Sequence, residues 1–541
     1  MQRRPRALYL YGMHKLAAVF ALLFVILGPP AFAATITVTT TSDDLTPNDG
    51  SVSLREAITA INAGATGDPD ILAQSPGTFG TNDKILFNIP GAGLHTIAPA
   101  TNLPTITQAV LIDGYSQGGA SANTLAIGDN AILLIELTGS GVSGGTGLNF
   151  SNAVTGGEVR GLLMTLWSFN AILLNGASNM VIDGNFLGTN AAGSAFSPFT
   201  TTNNFGLFVA GAAVGNTIGG ATAAARNLIS GNIGGIAIGN VGTTNNLIQN
   251  NYIGTNAAGT FALPNYQGIS FDSADANTVR GNVISGNSAN PVSSAAIEID
   301  NLSNHILVVG NKIGTNAAGT AAIPNLYGII ITDGFSGGST SNTIGTAAEP
   351  NIIAFNTKAG VALTALASGT SRLNSIRYNS IFSNGALGID LGNDGITPND
   401  PGDGDTGLFN DLQNYPVLTS AQFSGGTITI AGTLNSLPSG SYNVQFFQSP
   451  ACDPSGAGEG KTFLGEATVN TDVSGNGTFN ASFPGSSTGV ITATATDSLG
   501  NTSEFSLCSV LAAPGAIPTM SNWMLLLLVT LLAGLAFVRL R

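Results

Sequence analysis

The chain has 541 residues, so it is long enough for two or more folded units or one long repetitive unit. Only 9% of its residues are charged and 72 are glycine, but 43% are hydrophobic, which excludes a disordered chain and favours a turn-rich β protein. Acidic residues outnumber basic ones 30 to 16, so the surface repels phosphate backbones, which excludes nucleic acid as a partner. Divalent cations are more compatible ligands for such a surface.

A secretion signal is predicted over residues 1–33. Basic residues come first, an apolar run extends from Leu16 to Leu27, and the small-residue site Ala31-Phe32-Ala33 follows, with cleavage after Ala33. The apolar run is too short to favour the alternative, an uncleaved anchor. Export through the secretion machinery would place the body of the chain in an oxidising compartment.

A short helix is predicted next, because Ser53 and Glu56 form a capping box ahead of an apolar stripe. The stretch resembles the CSLREA domain, named for its hexapeptide, with Val52 in the position of the family's Cys. The resemblance extends to 83–87 and 103–114 and implies no catalytic role. We therefore expect residues 34–146 to form an N-terminal cap region, with Arg55 and Glu56 serving the helix cap rather than a site.

Internal repeats dominate the middle of the chain. The phrase NxxGTNAAG[ST] starts at Asn185, Asn251 and Asn311, and it alternates with Asn-flanked apolar phrases that start at Asn227, Asn282, Asn351 and Asn379. Strand-like segments recur at intervals of about 30 residues, and each interval holds three short strands. Their predicted inward centres are Leu207, Ile236, Ile269, Ile297, Ile329, Val361 and Ile389.

Three strands per turn predict an all-β fold, a parallel β-helix over residues 147–393 with about seven rungs. In this reading Asn and Gly take left-handed conformations at the corners, and Asn side chains bridge successive rungs. The segment resembles right-handed β-helix proteins, and the expected handedness comes from that resemblance.

An acidic linker is predicted over residues 394–411. Oxygen ligands suit Ca²⁺, so this stretch is either a calcium site or a solvated linker. The candidate ligands are Asp400, Asp403, Asp405 and Asp411.

Alternating strands after Leu412 predict an immunoglobulin-like β-sandwich over residues 412–513, a module that would space or bind. In an oxidising compartment Cys452 and Cys508 most simply pair with each other as a disulfide, and two free thiols or a metal pair are the rival interpretation.

The last segment, residues 517–541, runs from Ile517-Pro518-Thr519 through Trp523 and an apolar stretch to a basic end. A helix there would be about 24 Å long and suits interfacial anchoring. The segment resembles the IPTL-CTERM sorting signal of Gram-negative bacteria. That resemblance implies an exosortase-type partner and a location in the cell envelope or on the outer surface, at least transiently anchored in the membrane by a terminal hydrophobic helix.

One catalytic arrangement follows from aligning the rungs. Asp272 and Asp300 each lie three residues after an inward Ile of adjacent rungs, and Glu298 flanks them, so all three should point outward. Paired carboxylates about 5 Å apart suit retaining glycoside hydrolysis. Outward carboxylates are also common as plain surface decoration, however, and no cluster of Lys and Arg resembles a lyase site.

The leading prediction from the sequence is therefore a non-enzymatic adhesion or matrix scaffold that contacts glycans or surface proteins. The alternative is a carbohydrate-active β-helix enzyme, a polysaccharide hydrolase or lyase, that works at Asp272, Glu298 and Asp300.

Overall fold

The structure is a computed structural model, and it describes residues 33–512 except 197–202, 292, 335, 366–369 and 406. The predicted signal before Ala33 and the predicted sorting tail lie outside the described residues, as do the hydrophobic helices predicted for both segments. Across the described ranges, no helix combines the length and the apolar character that a membrane crossing requires.

Three long parallel sheets wind around one apolar core, with three strands per turn. Apart from the strands at the ends of each sheet, every strand pairs with the strand one turn earlier and the strand one turn later, so each sheet grows along the axis of a parallel β-helix. Sheet I contains Thr35–Val38, Asp83–Phe87, Val110–Asp113, Glu158–Arg160, Val181–Asp183, Thr217–Gly219, Leu247–Gln249, Thr278–Arg280, Leu307–Val309, Thr343–Ile344 and Ser375–Ile376. Sheet II contains His95–Ile97, Ile135–Thr138, Leu162–Thr165, Phe186–Leu187, Leu228–Ile229, Tyr252–Ile253, Val283–Ile284, Lys312–Ile313, Ile352–Ala354 and Ser380–Phe382. Sheet III contains Leu148–Phe150, Asn170–Asn175, Phe205–Ala210, Gly234–Gly239, Gln267–Asp272, Ala295–Asp300, Tyr327–Thr332, Val361–Thr364 and Ile389–Leu391.

The predicted register of sheet III is confirmed. The seven expected inward residues are direct Cα partners from strand to strand, and all are at most 1% exposed. Side chains alternate between the two faces of a strand, so the residues between these positions point outward. The register therefore determines which residues share the outer face.

The β-helix begins earlier than the predicted boundary at residue 147. Thr35–Val38 already pairs in parallel with Asp83–Phe87, which pairs with Val110–Asp113, so the region predicted as a cap contributes the first turns of sheet I. A helix, Leu54–Ala63, lies within these turns and buries Leu54, Ile58 and Ile61. Its capping box is present as predicted: the Ser53 hydroxyl accepts from the backbone N–H of Glu56, whose carboxylate accepts from that of Ser53.

Buried asparagines form ladders along the corners. At the corner between sheets I and II, each side-chain amide donates to the side-chain oxygen of the next turn, at 2.8–3.2 Å. A second ladder follows the corner between sheets II and III. The first ladder comprises Asn185, Asn227, Asn251, Asn282, Asn311, Asn351 and Asn379, and the second comprises Asn203, Asn232, Asn265, Asn287, Asn325, Asn356 and Asn384.

The expected left-handed backbone does not fall on these ladder residues. Asn250, next to ladder residue Asn251, has φ 59°, and Gly254 and Gly286 have positive φ, but no ladder asparagine does. A ladder side chain has to point into the corner and bond the turns on either side. The bend of the chain at each corner is therefore made by the neighbouring residues, which tolerate positive φ.

Two antiparallel sheets follow the β-helix and pack as an immunoglobulin-like sandwich, so the predicted fold class is confirmed. One sheet contains Val417–Ser424, Thr427–Asn435 and Asn476–Pro484, and the other contains Ser441–Ser449, Thr462–Asn470, Val490–Thr496 and Ser509–Val510. The predicted disulfide between Cys452 and Cys508 is present.

The sandwich covers the C-terminal end of the β-helix, which the prediction of a spacing or binding module missed. Phe447 and Phe505 belong to the same apolar core as the β-helix. The second asparagine ladder ends on Glu459 of the sandwich, whose carboxylate accepts from the Asn384 side chain at 2.9 Å and so replaces the asparagine of a next turn. Burial raises the pKa of Glu459 to about 7, although the hydrogen bonds from Asn384 act to lower it.

The segment 394–411 is part of this junction and not a free linker. Asn410 is fully buried, and its side-chain oxygen accepts from the backbone N–H of Asn374 at 2.9 Å. Its side-chain amide donates to Thr502 of the sandwich at 3.0 Å. The polar composition of the segment reflects these buried amide contacts as well as exposure to solvent.

Candidate functional site

The three predicted carboxylates lie together on the outer face of sheet III. Asp272 and Asp300 end adjacent strands and are direct Cα partners, so their backbones are about 4.8 Å apart. Glu298 lies two residues before Asp300 on the same strand, about 6.6 Å along it. We call these three residues the carboxylate cluster.

Glu298 is the least solvated member of the cluster. Its register partners are Ser270 on one side and Ile330 on the other, and Ile330 is itself only 8% exposed. The Gln267 amide donates a hydrogen bond to Oε2 of Glu298. Burial raises the pKa of Glu298 to about 7, and the charges of Asp300 and Asp272 add to the effect.

Asp300 is half-buried and accepts from the backbone N–H of Asn301 at 2.6 Å. Burial raises its pKa, as do the charges of Asp272 and Asp333, while the bond from Asn301 opposes the change. Asp272 is exposed at the end of its strand. The cluster therefore combines a carboxyl group that holds its proton near neutral pH with a solvent-facing carboxylate.

Two further residues complete the site, and the sequence alignment of rungs missed both. Gln267 lies at the start of the strand that ends in Asp272, and Asp333 is fully buried one residue beyond Tyr327–Thr332, the strand that follows Ala295–Asp300 in sheet III. The outward column that the rung spacing defines contains Thr332, which pairs with Thr364. Asp333 is the next residue and therefore lies outside that column. Only the turn geometry brings its charge near Asp300.

The residues that flank the cluster in register are uncharged: Gly239 lies beside Asp272, Ser270 and Ile330 lie beside Glu298, and Thr332 is next to Asp300. In register, no basic residue therefore balances the charge of the carboxylate cluster.

The structure brings together three of the four predicted calcium ligands. Carboxylate oxygens of Asp400, Asp403 and Asp405 all lie within 4.8 Å of one another. Asp411 is separate: it accepts from the backbone N–H of Gly407 at 2.7 Å and lies 3.7 Å from Arg372. The structure therefore does not group Asp411 with the other three predicted calcium ligands.

The remaining three carboxylates leave oxygen atoms unsatisfied. Asp403 is 5% exposed and accepts from the backbone N–H of Asn414 at 2.9 Å and from the Ser436 hydroxyl. One oxygen each of Asp400 and Asp405 is buried and accepts no hydrogen bond. Burial and the two neighbouring charges raise the pKa of Asp403 to about 6. A hard cation with oxygen ligands fits this arrangement.

No protein-family model matches the chain, and no curated protein matches its sequence. Among solved structures, it is similar to the periplasmic alginate epimerase AlgG, with 13% identity over 57% of this chain and 73% of that one and a TM-score of 0.33. It is also similar to DFA-IIIase from Arthrobacter chlorophenolicus A6, with 12% identity over 64% and 82% and a TM-score of 0.27. A third is tailspike protein gp49 of Acinetobacter baumannii bacteriophage Fri1, a capsular polysaccharide depolymerase, with 12% identity over 80% and 79% and a TM-score of 0.22.

These comparisons contradict the leading prediction of a non-enzymatic adhesion or matrix scaffold, because the proteins found are named for activities on carbohydrates. At identities and TM-scores this low they assign neither reaction nor substrate to this chain, so both are argued below from its own side chains.

Proposed function

We propose that the chain is a carbohydrate-active enzyme that hydrolyses glycosidic bonds at the carboxylate cluster of sheet III. The observation that carries the proposal is Glu298, a partly buried carboxyl group with its pKa raised to about 7, beside two further carboxyl groups on an outer sheet face. Carboxyl groups whose environments give them different affinities for protons can divide the roles of acid and base.

In this mechanism Glu298 donates its proton to the leaving glycosidic oxygen. An ionised aspartate of the cluster, Asp272 or Asp300, removes a proton from the attacking water. Glu298 and Asp300 lie two residues apart on one strand, with backbone positions about 6.6 Å apart, so both side chains can face one bound glycosidic bond. The closer pair, Asp272 and Asp300, suggested retention from sequence alone, but Glu298 is the member with the clearest acid character.

The function is tested by incubating the full chain with a panel of bacterial surface and capsular polysaccharides and measuring new reducing ends. We expect release from at least one polysaccharide, and we expect the double variant Asp272→Asn/Asp300→Asn to lose it. The matched control is Asp275→Asn, because Asp275 lies on the same rung but pairs with His305 at 2.9 Å on an exposed corner. Equal release by the wild-type chain and the double variant would exclude this site.

We also propose that Ca²⁺ binds Asp400, Asp403 and Asp405 and stabilises the junction between the β-helix and the sandwich. Asp403 already joins the segment to Ser436 of the sandwich, and the two unsatisfied oxygens of Asp400 and Asp405 would gain a partner. A ligand present at a hundred times its Kd stabilises the folded state by about 2.7 kcal/mol.

We expect millimolar Ca²⁺ to raise the melting temperature of the chain, and Asp405→Asn to remove most of that rise. The rise should be larger at pH 8 than at pH 5, because protons compete for Asp403, whose pKa is raised to about 6. Asp472→Asn, in an exposed turn of the sandwich, should respond to Ca²⁺ like the wild-type chain. An identical response of Asp405→Asn to Ca²⁺ would exclude calcium from this cluster.

We further propose that the chain is exported and sorted to the envelope or outer surface of a Gram-negative bacterium. The predicted secretion signal ending at Ala33 and the predicted sorting tail beginning at Ile517-Pro518-Thr519 support this proposal. The tail also implies an exosortase-type enzyme as a partner. The disulfide between Cys452 and Cys508 is also typical of an oxidising compartment.

A further inference from the structure

A cavity of about 510 Å³ opens on the outer face of sheet I, among the first turns of the β-helix. It crosses the strands Asp83–Phe87, Val110–Asp113, Glu158–Arg160 and Val181–Asp183 near their beginnings. The carboxylate cluster lies on sheet III and on later turns. The cavity is therefore a separate feature of the molecule.

The cavity is lined by both apolar and polar side chains. Leu111 and Val181 belong to one outward row of sheet I and flank Glu158, their common Cα partner in that row. Both are partly exposed, so they present apolar surface on either side of Glu158. Asn82 and Asn179 also line the cavity, and their amide groups can donate and accept hydrogen bonds.

The charges of the cavity are balanced. Three of its described lining residues are charged, and one of these, Asp83, is buried and accepts from the backbone N–H groups of Ala34 and Gly80 at 2.9 and 3.0 Å. That leaves one exposed cation, Lys84, and one carboxylate, Glu158. An ionic ligand of either sign would meet its own charge as well as the opposite one.

Glu158 is held in a fixed position. Arg160 contacts one of its oxygens at 3.0 Å, and with its other arm contacts Asp113 at 2.8 Å. The ion pair orients the Glu158 carboxylate. The combination of apolar side chains, amide groups and a fixed carboxylate is typical of pockets that fix a ligand by a few well-placed polar groups.

We propose that this cavity binds a sugar unit of a neutral polysaccharide. The C–H face of a pyranose would pack on Leu111 and Val181, while its hydroxyl groups bond Asn82, Asn179, Lys84 and Glu158. The site is independent of the carboxylate cluster and would hold a glycan to the β-helix whether or not sheet III cleaves it.

The test is affinity electrophoresis of the full chain, solubilised in detergent, through gels that contain dextran, mannan, galactan or a β-glucan, with polygalacturonate as the acidic comparison. All proteins carry Asp272→Asn/Glu298→Gln, so that binding is read without turnover and sheet III is the same throughout. We expect at least one neutral polysaccharide to retard the chain.

Leu111→Arg, which replaces an apolar lining residue with a charged one, should weaken that retardation about tenfold or more. Leu247→Arg is the matched control, because Leu247 occupies the same outward row four strands further along, outside the cavity. Lys84→Ala should also weaken binding, whereas Lys358→Ala, at an exposed position elsewhere, should not.

Three outcomes would overturn the proposal: no retardation by any of the four neutral polysaccharides, equal weakening by Leu111→Arg and Leu247→Arg, or stronger retardation by polygalacturonate than by each neutral polymer. Circular dichroism of each variant shows whether it is folded. If Leu111→Arg does not fold, the comparison of Lys84→Ala with Lys358→Ala decides.

Discussion

Replacing Glu298 with Gln is expected to lower kcat/KM for the cleaved polysaccharide by about 10²–10⁴-fold, the usual contribution of a general acid. The amide keeps the shape of the side chain and can still contact Gln267, but it has no proton to give to the leaving oxygen. The Asp275→Asn control should keep wild-type kcat/KM. A Glu298→Gln enzyme with undiminished kcat/KM would remove Glu298 from the mechanism.

The pH profile gives a second measurement of the same role. Because the pKa of Glu298 is raised to about 7, the acid is protonated below that pH and is lost above it. We expect kcat/KM of the wild-type enzyme to fall as the pH rises through about 7. In any residual activity of Glu298→Gln, this alkaline limb should disappear.

The Glu298→Gln substitution should change stability in the opposite sense to activity. The folded pKa of Glu298 lies above its ordinary value, so its carboxyl group favours folding most at low pH, and that contribution is lost as the pH rises towards about 7. Glu298→Gln carries no charge to desolvate, and we expect a higher melting temperature than wild type at pH 8 but not at pH 4. Such a gain at the expense of activity is typical of functional sites.

The repeated body was predictable because its core obeys one spacing rule. Leu207, Ile236 and Ile269 each occupy the first of two inward positions on their strands. The spacing of the repeats alone predicts that they pair directly from strand to strand. The rule fails for the first turns, where Thr35–Val38 and its partner Asp83–Phe87 are separated by two helices, Leu54–Ala63 and Pro69–Ala73, and irregular loops. No local pattern links two short strands across such a distance.

The candidate site shows the same division. Rung alignment correctly placed Asp272 beside Asp300, since both obey the spacing. Which carboxyl group keeps its proton was not predictable, because that depends on Ile330 in the next turn and on how much solvent reaches Glu298. The cap by the sandwich was missed for a related reason: Glu459 is 75 residues beyond Asn384, and only the folded chain shows that it ends the ladder.

The asparagine ladder gives the largest expected effect on stability. Asn282 is fully buried, and its side-chain oxygen accepts from both the backbone N–H and the side-chain amide of Asn251, at 2.9 and 3.0 Å. Its own amide donates to Ile248 and to Asn311 at 2.9 and 3.0 Å. Asn282→Leu is similar in size, yet it would leave several buried polar groups on two turns without partners.

Each unsatisfied buried group costs about 1–3 kcal/mol, so we expect Asn282→Leu to lower the free energy of unfolding by roughly 3–5 kcal/mol. Contacts in a solenoid join neighbouring turns only, so the loss should be local. Hydrogen exchange should accelerate at Asn251, whose N–H loses its acceptor, and leave the first strand pair, Thr35–Val38 and Asp83–Phe87, unchanged. The control is Asn152→Leu at an exposed position. Wild-type exchange at Asn251 in Asn282→Leu would show that water satisfies the corner and that the ladder contributes little to folding.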